Sequence, residues 1–282
     1  MKVKSLHIYP LKSGRVIDLD SAAITAWGLS GDRRYMLVDP DGRCITQREV
    51  QPLAQVTAVA KDGVLTLSKV GEPQPILASF DTDRRMNVEI WDSKVTAAVA
   101  LDGVNHALSK WFGIPVLLVH ADEITDRQCS PDWAGASVST GFADGYPILV
   151  TTTGSLKALN EATLAAGDEG FGMDRFRPNV VIEDDAPFAD DRWAAIEIGG
   201  IRYDLVKPCA RCIMTTQDQL TGERGGPDPM PAMRKLRMSA DRRVSGVLFG
   251  WNAVPRTIGA LQVGDSVSVL EQRPEGWPLK QR

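Results

Sequence analysis

Short strands joined by tight turns are the feature of this 282-residue sequence that most restricts its fold. Residues 3–9 alternate apolar and polar side chains, as half-buried strands do. Asp39-Pro40-Asp41-Gly42, Lys61-Asp62-Gly63 and Gly199-Gly200 each separate two strand-like runs and carry the residues that hairpin turns need. Strands at this close spacing favour a small, mostly antiparallel β domain over about the first hundred residues.

Helices are expected at only a few places between these strands. One begins near Asp102 and ends at Gly113, and another runs from about Leu156 to Ala166 after an apolar strand. Hydroxyl side chains at residues 151–155 cap the second helix, and a helix start of this kind is either an anion site or a plain cap. The chain is therefore predicted to be α+β and mostly β.

Composition excludes several classes of function. The net charge of -4 argues against a nucleic-acid partner, which usually requires a basic excess. No apolar run approaches the roughly 20 residues of a membrane span, and the start of the sequence lacks the apolar core of a signal peptide. With four cysteines and no export signal, we expect a protein of the reducing cytoplasm that contacts neither membrane nor nucleic acid.

Basic residues nevertheless cluster at several positions. Lys12 and Ser13 lie in a loop beside a glycine, Arg33 follows a turn, and Arg175 and Arg177 are two residues apart on a segment that we expect to be extended. Two such arginines point to the same side of an extended chain, and arginine suits bidentate contacts to phosphate. These clusters indicate a pocket for a small anion, and a solvated face is the alternative interpretation.

The segment from Lys207 to Thr216 carries the most distinctive chemistry. Cys209 and Cys212 are three residues apart with Arg211 between them, and a neighbouring cation favours the reactive thiolate form of cysteine. Residues 213–216 are predicted to be a strand, which would place the cysteines at its start.

Spacing alone leaves four interpretations of this segment open. A thioredoxin-like redox pair would have to open a helix, and a closed zinc site would need two further ligands. Two buried structural cysteines are the plainest alternative. The fourth is a single thiolate ligand to a metal that a cofactor carries.

A set of short motifs resembles the MOSC family of molybdenum-cofactor proteins, in particular the branch of the mitochondrial amidoxime-reducing component and its bacterial relatives. The motifs follow the family's order across nearly the whole chain: Ile8-Tyr9-Pro10-Leu11-Lys12-Ser13, Gly31-Asp32-Arg33, Asp144 with Pro147, Phe176-Arg177-Pro178-Asn179, Cys209-Ala210-Arg211-Cys212-Ile213-Met214-Thr215-Thr216, Leu248-Phe249-Gly250 and Val263-Gly264-Asp265.

The resemblance implies an N-terminal β domain at residues 1–95 and a C-terminal MOSC β-barrel with peripheral helices at residues 96–282. It also implies a bound molybdopterin, with Cys212 as the protein's ligand to molybdenum and Cys209 as a neighbour. The positions that correspond to cofactor contacts are Lys12, Ser13, Arg33, Gly145, Tyr146, Arg177, Asn179, Ala210, Arg211 and Asn252.

The resemblance further implies reduction of N-hydroxylated substrates such as amidoximes, N-hydroxylamines and N-oxides. Asp144 corresponds to an acidic residue near the metal and is predicted to donate a proton, which would require a raised pKa. No cysteine follows Cys212, so we expect electrons to come from a separate partner: a flavin reductase, a ferredoxin-like protein or a cytochrome-type carrier. A cofactor or sulfur carrier without turnover of its own, and a metal-free β-barrel binding module, are the alternatives.

Overall fold

A computed structural model describes residues 1–280, and strands dominate it. The strands are β1 (Lys2–Ile8), β2 (Ile17–Leu19), β3 (Ser21–Thr25), β4 (Gly28–Leu29), β5 (Tyr35–Val38), β6 (Cys44–Ile45), β7 (Val56–Lys61), β8 (Val64–Lys69), β9 (Ile76–Ala78), β10 (Phe80–Ile90), β11 (Ser93–Ala100), β12 (Leu117–His120), β13 (Ile148–Thr152), β14 (Val180–Glu183), β15 (Trp193–Ile198), β16 (Ile201–Arg211), β17 (Val247–Pro255), β18 (Gly259–Gln262) and β19 (Val267–Gln272). The helices are α1 (Asp102–Phe112), α2 (Pro131–Ala134), α3 (Thr153–Ala165) and α4 (Met230–Leu236), with 3-10 turns at Gln51–Gln55, Met173–Phe176, Ala189–Arg192 and Ile213–Thr216. Strands hold 41% of the residues and helices 19%, so the predicted mostly-β α+β class is confirmed.

The largest element is a curled, half-barrel sheet of eight strands in the order β19-β15-β16-β17-β13-β14-β1-β2. Its only parallel pair within residues 1–280 is β13 with β14, and α3 lies on the connection between them, as a parallel crossover requires. The curl brings the first strand near the start of the last one, where the Val267 amide donates to the Met1 carbonyl at 3.0 Å.

A five-stranded sheet in the order β10-β11-β12-β5-β6 forms most of the second body of structure. The three-stranded sheet β7-β8-β9 shares a core with it, whereas the three-stranded sheet β18-β3-β4 packs on the core of the half-barrel. Strands β1 and β3 come from the first 95 residues, yet they pair with β14 and β18 from the later part of the chain. The division at residue 95 stays a prediction.

The hairpin turns form where the sequence predicts them. Asp62 and Gly63 join β7 to β8 with φ of 50° and 79°, the left-handed pair of a type I′ turn. Gly199 and Gly200 join β15 to β16, also with positive φ. The predicted helix end at Gly113 is likewise present, with φ of 69°.

Apolar side chains fill the concave face of the half-barrel and a separate space beside the five-stranded sheet. Val3 and Leu6 of β1 pack with Ile196 of β15 and Trp251 of β17 in the first core, so the N-terminal strand is part of the half-barrel interior. Leu37 and Leu118 belong to the second core. No helix within residues 1–280 has the length and apolar character needed to span a membrane.

Candidate functional site

A cleft opens between the half-barrel and the loops of the five-stranded sheet. All twelve residues that the sequence singled out line it: Lys12, Ser13, Arg33, Asp144, Gly145, Tyr146, Arg177, Asn179, Ala210, Arg211, Cys212 and Asn252. The structure therefore brings together positions as far apart in sequence as 12 and 252. The roles assigned to them stay predictions, because shared location does not identify a ligand.

Three of these residues have a left-handed backbone that is uncommon outside glycine. Ser13, Arg33 and Arg177 have φ of 64°, 44° and 52°. Each such residue costs of order 1 kcal/mol or more, and such strain concentrates at functional sites. The loop after β1, the turn before β5 and the cap of the Met173–Phe176 turn thus present cationic and hydroxyl side chains to one cleft.

The cysteine segment follows a different local path from the one predicted. Strand β16 ends at Arg211, and residues 213–216 form a 3-10 turn instead of a strand. The Thr215 hydroxyl donates to the Cys212 carbonyl at 3.1 Å, a local side-chain-to-backbone bond that competes with sheet pairing. Cys212 therefore lies at the end of a strand, and the prediction that the cysteines begin one is wrong.

Three of the four interpretations of these cysteines lose their basis. Cys212 is exposed in the cleft and Cys209 is half-buried, and both are free thiols, so neither is a buried structural cysteine. Within residues 1–280 no three His, Cys, Asp or Glu side chains are grouped to hold a metal, which removes the closed zinc site. The pair also does not open a helix as a thioredoxin-like motif would.

Arg211 fixes the position of Cys209. One guanidinium nitrogen, Nη1, lies 2.9 Å from the Cys209 sulfur, and the other, Nη2, donates to the Phe176 carbonyl at 2.7 Å. The Arg211 guanidinium is thereby aligned along the cleft wall, and its buried Nε has no hydrogen-bond partner among residues 1–280.

A second group of contacts locks Arg33 against the opposite wall. Arg33 Nη1 lies 2.7 Å from Asp32 Oδ2 and 3.0 Å from Asn179 Oδ1, and its Nη2 donates to the Arg177 carbonyl. The guanidinium carbons of Arg33 and Arg177 lie 4.3 and 4.1 Å from the centroid of the Tyr9 ring. A buried aromatic ring thus supports two cations, an arrangement that cation–π attraction stabilises.

Arg177 is also fixed from the other side, since its Nη1 donates to Gln219 Oε1 at 3.1 Å. Burial lowers the pKa of Arg177 to about 10, which leaves the side chain charged at neutral pH. On the strand that faces β16, Asn252 Nδ2 donates to the Lys207 carbonyl at 3.1 Å, which fixes its amide at the edge of the cleft.

Asp144 differs from the sequence prediction in its protonation. Its Oδ1 accepts from Lys12 Nζ at 2.6 Å and from Trp91 Nε1 at 3.3 Å. Packing of protein around the carboxylate raises its pKa, but Lys12 and then Arg33 and Arg211 outweigh this effect and hold the pKa well below its usual range. The prediction of a raised pKa is wrong: beside Lys12 the residue is a carboxylate that accepts hydrogen bonds.

One further expectation about anion contacts is wrong, and a second question that the sequence left open has an answer. Residues 173–176 form a 3-10 turn and Arg177 is its left-handed cap, so Arg175 and Arg177 are not on an extended segment, although both line the cleft. The start of α3 does not line the cleft. The Thr152 hydroxyl there accepts from the Ser155 amide, and the Ser155 hydroxyl contacts Asp190, so that helix start is a plain cap in acidic surroundings.

Arg175 and Cys209, which the sequence placed in an anion pocket and beside the predicted metal ligand, also line the cleft. Sequence reasoning assigned no site role to the remaining lining residues, which are Thr46, Trp91, Ala143, Leu149, Phe176 and Met214. Trp91 is the first residue of the two-residue turn between β10 and β11, with φ of 53° and 46% exposure. The Arg48 guanidinium carbon lies 4.4 Å from the centroid of its ring. The sequence contained one signal for Trp91: a bulky residue at a position of a two-residue hairpin turn that usually needs glycine.

Comparisons with known proteins agree with this architecture. Residues 1–115 match the family described as the MOSC N-terminal beta barrel domain, and residues 138–268 match the MOSC domain. Mitochondrial amidoxime-reducing component 1 of Danio rerio is 26% identical over 278 residues, which cover 94% of this chain and 83% of that protein. Mitochondrial amidoxime reducing component 2 of Homo sapiens is 28% identical over 285 residues, with 94% and 82% covered.

A protein with a different name is also similar. The molybdenum cofactor sulfurase of Homo sapiens is 25% identical over 308 aligned positions, which cover 98% of this chain but 33% of the sulfurase. The chain thus matches one third of that longer protein.

Proposed function

Because this chain belongs to the MOSC-domain proteins, we propose that its cleft binds a molybdenum cofactor and that the protein reduces N-hydroxylated compounds such as amidoximes, N-hydroxylamines and N-oxides. One observation carries the proposal: the exposed thiol of Cys212 shares a single cleft with Lys12, Arg33 and Arg177. A thiolate is a soft ligand that suits a sulfur-rich metal site, and cations suit a phosphate-bearing cofactor.

The residues present fit such a cofactor. The cleft holds two thiols, Cys209 and Cys212, several cationic side chains and one acid, Asp144. Two of its guanidinium atoms, Arg175 Nη1 and Arg211 Nε, are buried without a hydrogen-bond partner in residues 1–280. Buried polar atoms are nearly always paired in folded proteins, so the cleft lacks acceptors that a polar, anionic ligand would supply.

In the proposed reaction, the bound cofactor supplies two-electron redox chemistry at molybdenum. Cys212 would hold the metal as a thiolate. Arg33, Arg177 and Arg211 would orient the cofactor, and each guanidinium is already held in place by its contacts with other groups of the protein. Asn179 fixes Arg33, and through it the left-handed turn that follows β4. Ser13, Gly145, Tyr146, Ala210 and Asn252 complete the wall of the site in this proposal.

Proton delivery is assigned to the pair of Lys12 and Asp144. Because Lys12 holds the pKa of Asp144 low, the carboxylate cannot donate a proton while that ion pair is intact. Asp144 can donate a proton only if Lys12 leaves the ion pair and turns toward an anion of the bound cofactor. If the ion pair stays intact, Asp144 positions Lys12, and the Lys12 ammonium faces the reacting group.

Electrons come, in this proposal, from a separate reductase or small carrier. The small-molecule substrate enters at the exposed side, where Trp91 and Asp144 lie. All four cysteines are free thiols, which is compatible with the reducing cytoplasm that the sequence predicts.

The test is molybdenum content per chain, measured by elemental analysis of protein from a host that makes the cofactor. We expect the wild type to carry molybdenum and Cys212→Ala to lose it. Cys209→Ala is the matched control, since it removes a thiol three residues away and should retain the metal. Equal molybdenum in wild type and Cys212→Ala refutes the proposed ligand.

The same preparations decide between a reductase and a carrier, the alternative favoured by the similarity to the molybdenum cofactor sulfurase. Loaded wild-type protein is incubated with benzamidoxime and an artificial electron donor. Consumption of the amidoxime that Cys212→Ser abolishes supports the reductase. Stable cofactor binding without consumption supports a carrier of cofactor or sulfur, and protein without molybdenum supports a metal-free binding module.

A further inference from the structure

Three side chains on the outer face of the half-barrel form a serine–histidine–aspartate array. His7 Nε2 lies 2.8 Å from the Ser5 hydroxyl oxygen, and His7 Nδ1 lies 2.7 Å from Asp18 Oδ1. None of these three residues lines the cleft. The array therefore belongs to a part of the molecule to which the proposed reductase chemistry gives no task.

Strand pairing brings the three side chains together. Ser5 and His7 are two residues apart on β1 and point to the same face, and His7 stands directly opposite Asp18 of β2 in the antiparallel register. The His7 backbone is also fixed, because its amide donates to the Asn179 carbonyl at 2.9 Å and its carbonyl accepts from Asn179 Nδ2 at 3.2 Å. The array thus stands on paired strands, which hold reacting groups more precisely than loops do.

The two contacts of His7 give each ring nitrogen a role. A carboxylate can only accept hydrogen bonds, so in the neutral imidazole Nδ1 carries the proton and Nε2 accepts from the Ser5 hydroxyl. The side chain of His7 is only 19% exposed, which limits the competition of water for these contacts. A serine hydroxyl bonded to an imidazole that a carboxylate orients is the arrangement that activates serine as a nucleophile, and it is recognised by geometry on unrelated folds.

The surroundings of Ser5 restrict the reactions that it can enter. Val3 and Leu6 face the core, and a bulge in the pairing with β14 puts both residues between them, Lys4 and Ser5, on the outer face. The Lys4 ammonium, 3.5 Å from Glu183, brings positive charge to the face on which an oxyanion would form. An exposed ammonium stabilises an oxyanion less than buried, preorganised donors do, so the array suits only an activated acyl donor.

We propose that Ser5 is an acyl-accepting nucleophile, with His7 as its general base and Asp18 as the residue that positions His7. The acyl donor is an activated carboxylic ester, such as an aryl ester. Ser5 Oγ bonds to the ester carbonyl carbon and its proton passes to His7 Nε2. The carbon–oxygen bond to the alcohol then breaks, and the alcohol leaves with that proton. The products are acyl-Ser5 and the free alcohol, and no group changes its oxidation state, so the inference does not rest on the proposed function.

The test uses the full-length protein with p-nitrophenyl acetate as the probe. Its thiols are first blocked with methyl methanethiosulfonate, because cysteine thiolates also attack aryl esters. Peptide mass spectrometry then locates the acetyl group and follows the rate at which acetyl-Ser5 forms. We expect acetyl-Ser5 in the wild type and no acetyl group at that position in Ser5→Ala. Ser21→Ala is the matched control, because Ser21 is an exposed serine at the start of β3, and it should not change the rate.

Variants of the other two residues separate activation from simple exposure of the hydroxyl. His7→Gln should slow the formation of acetyl-Ser5 at least about tenfold, since general-base assistance typically contributes about 10²-fold or more. His106→Gln, which removes an exposed histidine of α1, is its matched control and should not change the rate. Asp18→Asn should slow the reaction at least about threefold without lowering the melting temperature, because the asparagine amide can donate to Nδ1 and favour the wrong tautomer. Asp18→Glu should recover part of the rate.

The results decide the proposal in either direction. If His7→Gln does not fold, Asp18→Asn carries the comparison. Absence of acetyl-Ser5 in the wild type, or its formation at the wild-type rate in either variant, overturns the proposal. Cys212→Ala should lose molybdenum and still form acetyl-Ser5. Failure of the metal assignment and failure of the acyl-accepting site therefore give different results.

Discussion

Removing Arg237 should destabilise the fold strongly and in a pH-dependent manner. Arg237 follows α4, and its Nη1 and Nη2 lie 2.6 and 2.7 Å from the two carboxylate oxygens of Asp191. Trp251 Nε1 also donates to Asp191 at 3.2 Å, one residue before Asn252 of the cleft. Arg237→Met keeps an apolar stem of similar reach but leaves a carboxylate buried beside Asp190.

The magnitude follows from the burial of both partners, which are 3% and 7% exposed. Breaking a buried ion pair by removing one partner costs about 3–5 kcal/mol, since the remaining charge is uncompensated. The cation–π contact of Arg237 with Phe188, at 4.3 Å, is lost as well. We therefore expect Arg237→Met to lower the free energy of unfolding by at least about 3 kcal/mol at pH 7.

Urea unfolding followed by circular dichroism measures this loss, with Arg234→Met on the exposed face of α4 as the control, expected within about 0.5 kcal/mol of wild type. The Arg237→Met loss should be smaller at pH 4.5, because Arg237 also lowers the pKa of the neighbouring Asp190, which is about 6, and at pH 4.5 that carboxyl is protonated with or without Arg237. The double variant Asp191→Asn/Arg237→Met should be more stable than Arg237→Met alone at pH 7. A loss below about 1 kcal/mol, or one independent of pH, would refute the reasoning.

Two further predictions concern carboxylates whose pKa values are displaced. Burial and the charge of Asp191 raise the pKa of Asp190 from 3.8 to about 6, so the stability it provides is complete below about pH 4 and is lost as the pH rises through 6. Asp190→Asn should flatten this part of the stability profile and exceed wild type at pH 7 by up to about 3 kcal/mol, measured by urea unfolding; a lower stability there contradicts the assignment. Lys12→Met should raise the pKa of Asp144, so that Trp91 fluorescence titrates near or above pH 4 in the variant but only at lower pH in wild type. Loss of that titration in Trp91→Phe confirms the reporter, and identical wild-type and Lys12→Met curves contradict the ion-pair explanation.

Much of the fold was predictable because its signals are local. Asp62-Gly63 and Gly199-Gly200 specify hairpins whatever lies around them, and Gly113 ends α1 for the same local reason. The 3-10 turn after Cys212 was not predictable. The β-branched residues of that segment favour a strand, but the Thr215 hydroxyl donates back to the Cys212 carbonyl. Sequence patterns do not show whether strand pairing or a side-chain-to-backbone hydrogen bond forms at such a position.

The candidate site likewise has a part that local motifs predict and a part that depends on contacts between distant segments. Lys12, Arg177 and Cys212 lie in short motifs that a family resemblance identifies, and the structure places them in one cleft. Trp91 was missed because its contact with Asp144 joins a hairpin turn to a loop 53 positions later. The pKa of Asp144 could not be predicted from the sequence either, since it depends on the 2.6 Å approach of Lys12, which lies 132 positions earlier in the chain.

The pairing of β1 with β14 has a consequence for biosynthesis. One edge of β1 can pair with β2 as soon as residues 17–19 have been synthesised, but its other edge has no partner until residues 180–183 follow. The cleft wall that contains Asn252 is synthesised later still. The complete cleft therefore forms only after most of these 282 residues have been translated.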